Sequence, residues 1–151
     1  MNLRGPRVLV RPALARDADF IQQLVDELPQ RGDSMRLWER HVIERTDDDT
    51  AVGFVELQTG DPADDWATFG PMVMTSGERG WGYGSEAVHL IEARLARRDG
   101  VRRIRALIDK RIGLAFYFWL RQGYRSPASD EAFWPNDQPG DIISVIRTLE
   151  E

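Results

Sequence analysis

Residues 7–11 (RVLVR) alternate polar and apolar, the period of a half-buried strand, and Pro12 closes the run. Residues 16–28 then carry Ala18, Ile21, Leu24, Val25 and Leu28 at helical spacing, with Asp17 near the start where an acid suits the helix dipole. After a break at Pro29, Gly32 and Asp33, residues 34–40 predict a second, short helix capped by Asp33 or Ser34, with Met35, Leu37 and Trp38 as its apolar contacts. Residues 41–45 and 51–58 flank the turn TDDDT and predict a hairpin. Residues 66–74 read as a strand interrupted by Gly70 and Pro71, the pattern of a bulge. Residues 85–98 form a helical stripe through Val88, Ile91 and Leu95, and Gly100 is placed to end it. Residues 101–108 alternate again; reached through a helix, this strand should run parallel to 66–74 by a right-handed crossover. Residues 113–122 predict an apolar helix stopped by Gly123, 124–128 a short strand, 129–140 a loop and 141–149 a closing strand. The count is about seven strands and four helices, an α/β (α+β) mixed central sheet with helices on both faces.

The stretch that organises this pattern is 72–96, MVMTSGERGWGYGSEAVHLIEARLA, which passes from strand through a glycine-rich loop into helix. Gly77, Gly80, Gly82 and Gly84 permit backbone angles that a side chain would forbid. Free N–H groups at a helix start, with the positive end of its dipole, form an anion site. Arg79 adds a guanidinium able to grip a phosphate at two points. The loop residues Arg79, Gly80, Trp81, Gly82, Tyr83, Gly84 and Ser85 are therefore expected to hold a pyrophosphate.

Arg79, Gly82 and Gly84 spell R-x-x-G-x-G, with a strand before and an amphipathic helix after. This resembles the acetyl-CoA loop of the Gcn5-related N-acetyltransferase (GNAT) family. The resemblance implies a GNAT-like fold over one domain, residues 1–151. It also implies an enzyme that moves an acetyl group from acetyl-CoA to a primary amine of a small molecule or peptide, without a metal. In that family the fourth strand carries a bulge whose freed backbone groups bind the pantetheine arm and the thioester carbonyl; the matching positions here are Met72, Val73 and Met74. The family's N-x-x-A-x-x-F-Y-x-x-x-G-F pattern is matched at Ala115, Phe118, Gly123 and Tyr124, but Ile112 replaces the asparagine and Trp119 the tyrosine that acts as general acid. An indole N–H does not protonate a thiolate. Tyr117 is the candidate acid in its place, with Tyr83 and Tyr124 as further possibilities. Tyr117 lies about 200° round the helix from Trp119, so in the family's register it would point away from the thiol. For the base, Glu56 is a candidate against the commoner reading of a solvent-facing strand glutamate.

Composition narrows the alternatives. The chain has 151 residues, no cysteine, and two histidines far apart, which predicts neither disulfides nor a thiolate or histidine metal site. The acidic run Asp47–Asp49 reads as a solvated turn. A net charge of −5 disfavours a general nucleic-acid binder. No apolar run reaches the length of a membrane helix, and the N-terminus lacks a signal-peptide layout, which predicts a cytoplasmic protein with no membrane partner. A homodimer stays open. Trp66, Trp81 and Trp119 suggest an aromatic ligand pocket. Two rivals are carried forward. Gly82, Gly84 and Ala87 also fit the dinucleotide fingerprint G-x-G-x-x-A, with Asp109 as the ribose acid, although Thr75 to Trp81 separate that fingerprint from its strand. The missing tyrosine also suits an acyl-CoA-binding module without turnover.

Overall fold

A computed structural model describes residues 1–29, 38–128 and 142–149. Its seven strands form one sheet in chain order: β1 (Leu3–Arg4), β2 (Val8–Pro12), β3 (Glu39–Arg45), β4 (Ala51–Thr59), β5 (Trp66–Met74), β6 (Arg103–Asp109) and β7 (Ile142–Thr148). All neighbours are antiparallel except β5 and β6. The described helices are α1 (Ala18–Val25), α2 (Tyr83–Arg98) and α3 (Ala115–Arg121). α2 connects β5 to β6, as a parallel pair requires.

Side-chain alternation along the strands divides the core in two. α2 and α3 cover one face, over Val10, Ile43, Val55, Phe69, Ile104 and Val145. α1 covers the other through Ile21 and Leu24, over Val42, Phe54 and Val73. Arg11 anchors the start of α1 to the sheet: its guanidinium donates to Asp17 at 2.7 and 2.9 Å and to Glu44 at 3.0 Å, all three residues being buried. That bidentate bond, against the cost of burial, holds the Asp17 carboxyl down at about 2.

Three expectations change. The strand count of seven stands, but its membership differs: Leu3–Arg4 pairs with β2, whereas residues 124–128 contribute only one bridge, Arg125 to Ile146. A two-residue edge strand leaves no periodicity to read. Among the described residues there are three α-helices, not four. The predicted helix at 34–40 lies outside the described residues as far as 37, and Glu39 and Arg40 belong to β3. The loop expected at 129–140 also lies outside the described residues.

Candidate active site

The expected bulge is present. Val55 faces Met72 and Leu57 faces Phe69, so Gly70 and Pro71 together oppose the single residue Glu56. The same point ends the parallel pairing. β5 and β6 run together from Trp66–Arg103 to Phe69–Ala106 and no further. Beyond it β5 continues to Met74 against β4, and β6 continues to Asp109 against β7. A wedge therefore opens in the sheet between 70–74 and 107–109. Proline has no N–H to give a ladder, and the extra residue turns the strand out of register with β6. Along this half of β5 the backbone groups of Met72 and Met74 face the β6 side and have no ladder partner there among the described residues, whereas those of Val73 face Phe54 on β4, in phase with the Thr75 N–H that donates to the Val52 carbonyl, so Val73 does not offer the freed groups expected of it.

The glycine loop sits at the mouth of this wedge. Gly80 and Gly82 have φ of 85° and 83°, the left-handed region, and Gly82 is the N-cap of α2. No side chain caps this helix, and its first intrahelical bond runs from the Glu86 N–H to the Gly82 carbonyl. The N–H groups of the first turn thus lack intrahelical partners. Gly84 plays a different part. It is buried, and a Cβ there would lie 3.1 Å from Met72 Cε and 3.4 Å from a Phe118 ring carbon. It lets β5, α2 and α3 close together. Gly77 meets neither condition, with open space around it. Arg79 is exposed; its Nε donates to the Met74 carbonyl at 3.2 Å and its Nη2 to Glu27 at 3.1 Å. The loop is also held by Arg45, which donates to Glu78 at 2.8 Å.

α3 turns Ala115, Phe118 and Trp119 inward. Trp119 is 4% exposed and packs on Phe69 and Tyr124, with ring centroids 5.0 and 4.9 Å away. Tyr117 is 65% exposed, on the outer side. Tyr124 donates its hydroxyl to Glu92 at 2.8 Å, and Arg147 donates to the same carboxylate at 3.0 Å. Burial, reinforced by Glu92, pushes the Tyr124 hydroxyl well above its ordinary value, and burial raises Glu92 despite its donors. Gln122 donates to the Ser85 hydroxyl at 2.9 Å, joining the end of α3 to the first turn of α2.

A family model described as the acetyltransferase (GNAT) family matches residues 13–124. The chain belongs to the GNAT family. Solved structures of similar fold include an acetyltransferase from Thermus thermophilus, 20% identical, with 99% of this chain and all of that one covered at a TM-score of 0.69. The spermidine/spermine N-acetyltransferase SpeG of Vibrio cholerae is 16% identical, covering 94% of this chain and 92% of that one at 0.67. The N-acetylglutamate synthase of Neisseria gonorrhoeae, solved with coenzyme A and L-arginine, is 19% identical over 97% of this chain and 34% of that longer one, at 0.70. At these identities the likeness is one of fold. No curated protein sequence matches.

Family membership makes the protein an N-acetyltransferase, of a family that uses acetyl-CoA. It also removes the dinucleotide rival on structural grounds. A Rossmann unit needs successive parallel strands, yet the sheet has one parallel pair and β7 returns antiparallel. Asp109 is engaged by Arg111 at 2.6 and 2.9 Å. Ala115, Phe118 and Trp119 share the inward face of α3, and Tyr117 is exposed on another side of the helix. The expected aromatic pocket does not form: Trp66 opens β5 under Arg103, Trp119 is core, and Trp81 is exposed in the loop at the other end of that strand. Glu56 does not face solvent; it is 0% exposed, opposite the bulge, and Arg40 donates to it at 3.3 Å. Sequence reasoning missed Gln122 and the pairing of Glu86 with Arg7, 3.0 Å apart; Glu86 itself was readable as an acid near the start of α2 that suits the helix dipole.

Proposed function

We propose that the protein transfers the acetyl group of acetyl-CoA to a primary amine of a small molecule or peptide. The observation that carries this is the alignment of the wedge with the uncapped start of α2. Anion donors and unpaired strand groups occupy one continuous region of the fold. The donor fits what the residues offer: backbone N–H groups at 82–85 and Arg79 for the pyrophosphate, then the open edge of Met72 and Met74 for the pantetheine amides. When bound, the coenzyme supplies the activated acetyl group. The chain's contribution is orientation and an N–H of Met74 for the charge that develops on the carbonyl oxygen. A primary amine acceptor accords with the names of two fold neighbours, a spermidine/spermine N-acetyltransferase and an N-acetylglutamate synthase.

The leaving sulfur needs a proton. Tyr124 is committed to Glu92, and Tyr83 lies under the Arg7 guanidinium, 5.3 Å from its ring centroid. Tyr117 faces outward. Water in the wedge is the donor we favour over Tyr117. The buried Trp119 supports a second reading, a binding module that holds the coenzyme without turnover. The test is a thermal shift with coenzyme A and with NAD, followed by acetyl-CoA with a panel of polyamines, amino acids, aminoglycosides and peptide N-termini. Stabilisation by coenzyme A, with an acceptor acetylated, is the expected result. At about 100 times its dissociation constant the ligand adds about 2.7 kcal/mol. Stabilisation by NAD alone would overturn the proposal, and tight coenzyme A binding with no acceptor in the panel would favour the module.

A further inference from the structure

Arg7 is exposed, lies just before β2, and belongs to no motif, yet it touches four residues of the coenzyme loop and the helix it opens. Its Nη1 donates to the Trp81 carbonyl at 2.7 Å. Its Nε donates to Glu86 Oε1 at 3.0 Å, and its backbone N–H donates to Glu86 Oε2 at 2.8 Å, joined there by the Val8 N–H at 2.9 Å. Its Nη2 is 3.0 Å from where a Cβ of Gly82 would sit, and its guanidinium lies over the Tyr83 ring. The backbone is itself fixed, because the Arg7 carbonyl accepts from the Thr46 N–H at 2.9 Å.

Two consequences follow from elementary electrostatics. Glu86 stands in the first turn of α2, where a free carboxylate would repel a bound phosphate. Burial alone would raise its pKa, but three N–H donors and the Arg7 charge outweigh that and hold it below the usual range. The pair presents no net charge to the site. The second consequence concerns direction. The Trp81–Gly82 peptide is trans, so its C=O and N–H point opposite ways. Arg7 draws the carbonyl toward β2. The Gly82 N–H is thereby turned away from Arg7 and β2, and the wedge, between β5 and β6, lies three strands from β2.

We propose that Arg7 is a positioning residue for the coenzyme. It shapes the phosphate-binding loop by pinning the Trp81 carbonyl and neutralising Glu86, without touching the phosphates itself. The inference rests on the coenzyme reading above. The experiment measures coenzyme A affinity by calorimetry for wild type, Arg7→Met and Arg7→Met/Glu86→Gln, with melting curves alongside. Arg7→Met should raise the Kd about tenfold. Adding Glu86→Gln should recover part of that loss, because it removes the repelling charge. In a purely structural ion pair the second substitution would recover nothing. In turnover, Arg7→Met should raise KM for acetyl-CoA while leaving kcat and the KM for the amine unchanged. Wild-type affinity in a folded Arg7→Met, or a double variant no better than the single, would overturn the proposal alone. Failure of the wild type to bind coenzyme A would overturn the coenzyme reading and this proposal with it.

Discussion

The two ends of the sheet make opposite kinds of cavity. At the end where α2 finishes, a cleft of about 450 Å³ is lined by Glu39, Asp64 and Asp99 over Leu57, Leu95 and Val101. At the end where α2 begins, the wedge between β5 and β6 offers backbone donors, a helix start without a side-chain cap, and Arg79. This cleft carries the wrong charge for a pyrophosphate. Three carboxylates and the C-terminal end of α2 would both repel it. The lesson is that the two ends differ in the sign and the pairing of their hydrogen-bonding groups, and it is this difference that assigns the proposed coenzyme to the wedge end.

The largest effect expected at the wedge end is from Gly82→Val. A β-branched residue at φ 83° is strained, and its side chain would meet Arg7 Nη2. Coenzyme A affinity should fall by about 100-fold or more, a loss of about 2.7 kcal/mol or more by the tenfold-per-1.4 rule. Asp99→Asn at the other end should leave it unchanged. Equal effects of the two would erase the contrast. Gly84→Val is a poorer probe, because Met72 and Phe118 leave no room and overpacking costs about 1–3 kcal/mol of stability.

Arg79→Ala should weaken coenzyme A binding about tenfold, since one charge-assisted contact goes while the N–H cradle remains. Glu27→Gln should tighten it by up to about threefold, because Arg79 must leave Glu27 to meet a phosphate and the pair is exposed and weak. Titration calorimetry reads both.

A smaller effect belongs to His41, buried on β3 with an Nδ1 that has no hydrogen-bond partner among the described residues. Burial lowers its pKa from 6.5, with Glu39 partly opposing. A depressed folded pKa means stability that is complete above 6.5 and lost as pH falls through the folded value. Between pH 7.5 and 5.5 the melting temperature should fall by a few degrees, about 2–4 °C per kcal/mol for a domain of this size. His41→Leu should flatten that slope. Glu92, whose pKa is raised, contributes with the opposite sign, but it is present in both proteins and cancels in the difference.

The smallest effect separates the two faces of α3. Tyr117→Phe should lower kcat less than about threefold; a loss of roughly 10²–10⁴ would make Tyr117 the acid. Steady-state rates with an acceptor from the panel decide it.

These expectations also show what the sequence could carry. The bulge was legible because Gly70 and Pro71 break a strand pattern in a way few other residues do. The parallel pair was legible because a 16-residue amphipathic helix separates β5 from β6. The loop was legible as a motif, although the sequence could not show that Gly80 and Gly82 serve conformation while Gly84 serves packing. β1 escaped because two residues show no period. Arg7 and Gln122 escaped because each acts on a partner 37 to 79 positions away, a distance that local pattern does not encode. Glu56 was left between a base and a solvent-facing glutamate because alternation tells which residues share a face, not whether that face is covered.

The most direct test is a crystal structure grown with coenzyme A. The account predicts phosphate oxygens within hydrogen-bond distance of N–H groups at residues 82–85, with Arg79 released from Glu27 and the pantetheine arm along Met72 and Met74. Phosphates bound elsewhere, above all in the carboxylate-lined cleft at the far end of α2, would contradict it.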